Sequence, residues 1–516
     1  MSELVTRLFQ QLHGNEPRVF FQDEWHLSSD LKRDAARIQD SLRVAGVMPG
    51  QRVLLSEINS YGFLAAYLGI LLHGAVVVPV NPLMPGPELT KVMTRANVHG
   101  AVVSQALLPL VKRVRGVPLL FAATILQEDE SFHYDFWTLL HGKWIAHDTS
   151  ALQEEAVLHN VAEENGAILL FTSGTTGTPK GVLLTHSQVM ATVINVIQAH
   201  QLTENDICYA FLPLFHINAQ VIGFLSTMLS NGKIILEKKF SASRFWNTVS
   251  EQGITWVSAV PTVIAILLKS PGTVVHPHRV RFVRSASAPL AQLHAKRFEG
   301  RFGIPIIESY GMTEAASQIC VNPVPPGLRK LGSVGLPAGV AVEIKGDAGE
   351  TLGAGQIGEI AIRGKSVVSS YASGDTSGTS FRAGWFYTGD IGYKDADGYV
   401  FITGRSKEMI NRAGQKISPR EVEEVIGQDS RVQNVAVIGL PDDLYGERVV
   451  AYVIAESVPN TEYDALIERL KKACQTSISA YKCPAEYHIV DEIPVGPTGK
   501  IQRSRLRQQV LAVSNL

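Results

Sequence analysis

The chain alternates between apolar runs and short polar breaks, and the spacing of the apolar positions sorts it into elements. Leu31, Ala35, Ile38 and Leu42 recur every three or four residues, the period of a helix with one apolar face. Ser29 is its expected N-cap and Gly46 its stop. "QRVLLSEI" then predicts a strand. Residues 63–80, "FLAAYLGILLHGAVVVPV", form the most apolar stretch. His73 and Gly74 split it and Pro79 ends it, so it predicts a buried helix followed by a buried strand rather than a membrane span. Strand, helix, strand is the unit of a parallel sheet. "AVVSQ", "KIILE", "TWVSAV" and "VRFVRSASAP" continue the pattern. Their unbroken apolar runs suit a sheet covered on both faces.

The texture changes from about Gly332. "GVAVEIKG", "GEIAIRG" and "GWFYTGDIGYKDADGYVFITGR" are short strands between Gly- and Asp-rich turns, which predicts a small antiparallel or barrel-like part. Past Arg405 it changes again. In "SPREVEEVI", Ser418 stands as N-cap, Pro419 in the first turn and Glu421 three residues on, the pattern of a capping box. Val422, Val425 and Ile426 make the apolar stripe of that helix. Strands "VQNVAVIGL" and "RVVAYVIAES" follow, then a helix burying Leu466, Ile467 and Leu470, then a last strand, "AEYHIVDEIP". The expected organisation is α/β. Residues 1–406 form a large region of several subdomains with parallel-type sheets and a small β-barrel-like part, and residues 407–516 form a small mobile α+β domain.

Composition narrows the function. The 516 residues are 45% hydrophobic and 18% charged, with a formal net charge of -1, so nothing marks a polyanion-binding surface and a small-molecule enzyme fits better. Cys208, Cys320, Cys474 and Cys483 show no C-x-x-C pair, and buried free thiols are expected. The N-terminus, "MSELVTRLFQQLHGNEP", lacks the basic start and apolar run of a signal peptide, so a cytoplasmic protein is expected.

Candidate chemistry concentrates in "AILLFTSGTTGTPKGVLLTH", residues 167–186. Its glycines would let backbone N–H groups approach anion oxygens, its hydroxyls are donors, and Lys180 is a point charge. A Walker A loop needs Gly-Lys-Ser/Thr, and here Pro179 precedes Lys180 and Gly181 follows it; the Rossmann glycine pattern is absent as well. A strand precedes the loop, as in many phosphate sites. On composition alone, a flexible turn and a phosphate cradle are equally open.

The full residue order is more specific. "FTSGTTGTPKGV" resembles the signature loop of the adenylate-forming superfamily, which includes acyl- and aryl-CoA ligases, adenylation domains of nonribosomal peptide synthetases and beetle luciferases. The resemblance continues in the expected order through "ESYGMTEAA" (308–316), "GEIAIRG" (358–364), "YTGDIG" (387–392), "GRSKEMINRAGQKISPREVE" (404–423) and "PTGKIQR" (497–503).

That resemblance implies an ATP-dependent carboxylic acid–CoA ligase that passes through an acyl-AMP and releases pyrophosphate. Fatty, aryl and other small organic acids are all candidate substrates. The rival reading is a free-standing adenylation enzyme that loads a carrier protein. ATP, Mg2+ and CoA are the implied cofactors. Thr172, Ser173, Gly174, Thr175, Thr176, Gly177, Thr178, Pro179 and Lys180 would wrap the phosphates, and Glu314 with Thr172 would hold the metal. Tyr310 would stack on adenine, with Ser287, Ala288, Glu308, Ser309, Gly311 and Met312 around it, and Thr313 would hydrogen-bond the α-phosphate. Asp390, with Ile402 and Arg405 nearby, would take the ribose hydroxyls. Lys500 would bridge the carboxylate and the α-phosphate. Lys407 would mark the hinge, and Gly414 would line the pantetheine path.

His216, in "FLPLFHINAQ", would gate the acyl site, although a core histidine is an equal alternative. Trp256, Val260, Ser309 and Met312 are candidate pocket walls. "INRAGQKISP" is also similar to ligases acting on small dicarboxylates such as oxalate, but no cationic partner for a second carboxylate stands out in the sequence.

Overall fold

The computed structural model describes residues 1–126, 132–172, 180–272, 278–372, 380–456, 458–496 and 501–514. Two large sheets dominate it. In the first, strands Lys233–Leu236, Ile207–Ala210, Trp256–Ala259, Phe282–Ser285 and Ile306–Tyr310 lie side by side and parallel. In the second, Arg52–Ser56 pairs in parallel with both Val76–Pro79 and Val98–Val103. These central strands are buried on both faces, as their unbroken apolar runs require. A third sheet, between Ala341 and Arg405, is antiparallel throughout. A fourth, between Ile410 and Ile489, is mixed and carries its own helices. Two core clusters draw their buried members only from residues 410–506.

The most apolar stretch forms the helix Tyr61–Leu72, buried at every position, and then the strand Val76–Pro79. Ser60 caps the helix by accepting from the Phe63 N–H at 3.0 Å. Gly74 turns the chain at φ +78°, a conformation suited to glycine. Among the described residues, no helix is long and apolar enough to cross a membrane.

Four local expectations change. The first amphipathic helix runs Ser28–Val44 with Leu27 as N-cap, not Ser29. Asp30 decides this, because its carboxylate accepts from the Leu27 N–H at 3.0 Å and sits where the helix dipole favours negative charge. Ser418 does cap Pro419–Ile426, but only half of the capping box forms. Glu421 turns away to pair with Lys482 at 2.6 Å. Beyond the strand expected to be the last element, a helix forms at Arg503–Ser514. Of the four free thiols, Cys208, Cys320 and Cys474 are buried, whereas Cys483 is partly exposed.

Candidate active site

The candidate residues gather where parallel strands end. Trp256–Ala259, Phe282–Ser285 and Ile306–Tyr310 run in one direction, and the segments "SASAP" and "YGMTE" leave from their carboxyl ends. That edge is where open α/β sheets place ligands. The backbone there is unusual. Ser287 sits at φ +73° and Ser317 at φ +107°, conformations that non-glycine residues rarely adopt. Gly311 was expected to admit adenine, but its bareness serves the chain itself: a Cβ there would lie 1.4 Å from the Ser317 carbonyl oxygen.

Tyr310 is buried and donates its hydroxyl hydrogen to Asp390 at 2.5 Å. The other oxygen of Asp390 accepts from Arg405 Nε at 2.9 Å. The antiparallel pairing of Asp390 with Arg405 sets this geometry. Burial and the Asp390 charge push the Tyr310 phenol well above its ordinary range, so it stays a donor. A carboxylate has about four acceptor positions, so Asp390 keeps two for other donors. Ile402 is half-buried on the same strand as Arg405.

Lys180 and Thr172 face each other across a hairpin rather than along a strand-to-helix turn. The Thr172 hydroxyl donates to the Lys180 carbonyl at 3.4 Å. This corrects the comparison with strand-to-helix phosphate loops. Residues Ser173, Gly174, Thr175, Thr176, Gly177, Thr178 and Pro179 lie outside the described residues, as does Lys500. Lys180 Nζ stands 4.4 Å from the centre of the Tyr371 ring, and the Tyr371 hydroxyl donates to Glu314 at 3.4 Å. Tyr371, which sequence reasoning missed, therefore links the two expected phosphate and metal residues. Burial raises the Glu314 carboxyl above its usual range. A buried carboxylate of that kind gains from a nearby cation.

Other expected residues take different places. Trp256 is fully buried in the core, packed on His200 and Phe282 with ring centroids 5.9 Å away in each case. Val260 caps the helix Pro261–Lys269 by its backbone. Thr313 lies inside a short turn, Thr313–Ala315, whose N-cap is Met312. His216 is half-buried, its ring 4.4 Å from that of Phe215. Ala288 is half-buried in the loop after the strand. Glu308 is buried, accepts from the backbone of Gly332 and Leu290, and is pushed up to about 7 by burial. Lys407 is exposed in the turn Ser406–Glu408. Gly414 follows Ala413 in a two-residue hairpin turn, at φ +82° and +51°. Turns of that kind need left-handed backbone, which explains the glycine without a ligand.

Two arginines were also missed. Arg503 pairs with Glu408 at 2.9 Å and Glu423 at 2.6 Å, just past the Lys500 segment. A bridge between Val495 and Ile501 brackets that segment. Arg284 is fully buried and donates to Asn218 and Ser309, each at 2.9 Å. Its only sequence signal was a charge inside an apolar strand.

Known proteins share this fold. Residues 8–372 match the family of AMP-binding enzymes and residues 421–500 match the AMP-binding enzyme C-terminal domain. The chain belongs to the AMP-binding enzyme family. It is 36% identical to a sulfoacetate–CoA ligase of Cupriavidus necator, covering 95% of this chain and 94% of that one. It is 34% identical to an oxalate–CoA ligase of Arabidopsis thaliana, covering 93% and 92%. ATP-bound MatB from Rhodopseudomonas palustris superposes with a TM-score of 0.88 at 26% identity, covering 99% of both chains. Apo MatB from the same source gives 0.76. On these findings the protein is an AMP-forming acid–CoA ligase, with ATP and CoA as co-substrates.

Proposed function

We propose that this enzyme couples a small, polar organic acid to CoA in two half-reactions, with CoA rather than a carrier protein as acceptor. The carrying observation is the Tyr310–Asp390–Arg405 cluster at the carboxyl edge of the parallel strands. Asp390 accepts the ribose hydroxyls, and Arg405 and Tyr310 hold its carboxylate still. Thr172, Lys180 and the loop between them surround the triphosphate. An acid carboxylate oxygen attacks the α-phosphorus, and the bond to pyrophosphate breaks. The CoA sulfur then adds to the acyl carbon, losing its proton, and AMP departs with the bridging oxygen. Both halves bring anions together, so donors and cations must be placed in advance.

The buried carboxylate of Glu314, joined to Lys180 through Tyr371, fits a metal that takes one carboxylate plus phosphate oxygens. Mg2+, when bound, would neutralise phosphate charge, with Glu314 holding it and Thr172 close to the phosphates. The mobile unit begins at the boundary between residues 406 and 407. Arg503 ties the Lys500 segment to Glu408 beside that boundary, which supports Lys500 arriving and leaving with the unit. The better superposition on ATP-bound MatB than on the apo form supports an adenylating orientation.

The test is pyrophosphate release from ATP across a panel of acids, followed by mass detection of the CoA thioester. Lys500→Ala is expected to slow acyl-AMP formation by about 100-fold or more, while conversion of supplied acyl-AMP to the thioester is largely kept. Equal loss in both halves overturns the role of Lys500. Pyrophosphate release with no acid in the panel overturns the reading as a whole.

A further inference from the structure

Arg284 is charged, 1% exposed, and paired with no carboxylate among the described residues. An isolated buried charge costs several kcal/mol unless something offsets it. The groups bonded to it are neutral acceptors, the Asn218 side-chain oxygen and the Ser309 hydroxyl, and neither is a counter-ion. The Nη1 group donates to the Asn218 side-chain oxygen, which turns the Asn218 amide NH2 group away, and that Nδ2 is buried with no partner. Arg284 Nε is buried with no partner as well. Ser258, the direct register neighbour of Arg284 on the next strand, holds a third unpartnered buried atom, its Oγ. Ser309 closes the cluster, accepting from Arg284 Nη2 and donating to the Cys320 carbonyl at 2.9 Å. His200, pushed down to about 3 by burial and then by the Arg284 charge, stays neutral and adds no charge to the cluster.

Two buried groups with nothing to donate to, Asn218 Nδ2 and Ser258 Oγ, beside a buried cation whose own Nε is unpartnered, describe a receptor for an oxyanion. Asn218 also opens a π-helical segment, Asn218–Leu225, a widened backbone that recurs at functional sites. Ser309, which accepts from Arg284, immediately precedes Tyr310, the residue that holds Asp390, so both hang on adjacent positions of one strand end. We infer that Arg284, Asn218 and Ser258 bind a second anionic group on the acid substrate, making this enzyme selective for short acids that carry a carboxylate or sulfonate besides the carboxylate being activated. The inference rests on the ligase reading above and narrows its substrate class. It also supplies the cationic partner that the sequence alone did not reveal. The curated ligases for sulfoacetate and oxalate are named for acids of this kind.

The experiment compares oxalate, malonate and sulfoacetate with acetate, propanoate and methylsulfonylacetate in ATP-dependent pyrophosphate release. The expected result is at least one acid of the first group with kcat/KM about 100-fold or more above its neutral counterparts, since a site built around hydrogen-bonding groups rejects analogues that leave them unpaired. The carboxylate and sulfonate arms tell the two anions apart. Arg284→Met should then lose about 1000-fold in kcat/KM for the dianionic acid, with the ratio to neutral acids collapsing and the thermal melt unchanged or raised. Asn218→Leu keeps the cation and should raise KM for the same acid more than it lowers kcat, which serves if Arg284→Met does not fold. Preference of the wild type for neutral acids overturns the second-anion site while leaving the ligase reading intact. Equal losses on every acid in both variants make the cluster structural and also overturn it. Silence of the wild type on all acids removes the ligase reading itself.

Discussion

Glu308 offers a test of the site's electrostatics that does not depend on knowing the substrate. Its carboxyl lies on the strand Ile306–Tyr310, accepts from the Gly332 and Leu290 backbone, and feels the Arg420 charge from the helix Pro419–Ile426. Burial outweighs those favourable contacts and moves it from 4.5 to about 7. Between those values the folded chain keeps a proton that the unfolded chain has lost. Folding then takes up a proton, and stability falls as pH rises through the window. At about 1.4 kcal/mol per tenfold step, the loss is about 3 kcal/mol, most of it between pH 5 and pH 8. Glu308→Gln keeps the size and an acceptor oxygen but never ionises. Urea melts of both proteins at pH 5, 6, 7 and 8 should diverge, the variant gaining about 2–3 kcal/mol on wild type across the series. Parallel curves, within about 0.5 kcal/mol throughout, would show that Glu308 is ionised in the folded protein and refute the argument.

Two further substitutions probe the frame around the site. Gly311→Ala forces a Cβ into the Ser317 carbonyl, 1.4 Å away; it should destabilise by about 3 kcal/mol and lower pyrophosphate release, and a thermal midpoint within one degree or so of wild type would contradict the close approach. Arg503→Met leaves Glu423 buried without its partner, at a cost of about 3–5 kcal/mol. Adenylation should fall more than thioester formation from supplied acyl-AMP, and Glu423→Leu in the same chain should restore stability; failure of that rescue would remove the ion pair from the explanation.

The apolar pattern carried the fold well because burial decides these elements. Every position of Tyr61–Leu72 is buried, and no competing local preference is strong enough to redirect it. Cap positions were less legible, since they turn on single side-chain choices such as Asp30 over Ser29 or Glu421 toward Lys482. At the site, motif order brought out Tyr310, Asp390 and Arg405, whose mutual bonds follow from strand register. It did not bring out Tyr371, which joins Lys180 to Glu314 from about 190 residues further along. Nor did it separate glycines needed by a ligand from Gly311 and Gly414, which the backbone itself requires. Trp256 misled for a related reason: an aromatic residue near a site can equally be core, and only the facing ring of Phe282 decides.

Arg284 was unreadable because a charge inside an apolar strand has two opposite meanings. It can be a satisfied structural ion, or a receptor whose partner comes from outside. Only the inventory of its neighbours distinguishes them, and here Asn218 and Ser309 accept as neutral groups while Asn218 Nδ2, Ser258 Oγ and Arg284 Nε are left without a partner. The strand Ile306–Tyr310 then explains how one short segment could serve two substrates. Successive side chains point to opposite faces. Glu308 and Tyr310 face one way, and Tyr310 reaches Asp390. Ser309 faces the other way, toward Arg284. On the proposed roles, nucleotide and acid lie on opposite faces of the strand and can meet only past its end, at Gly311. The contact between Gly311 and Ser317 fixes that end. A shift of one residue there would exchange the two faces, so on the proposed roles the register of this strand decides which substrate each face receives.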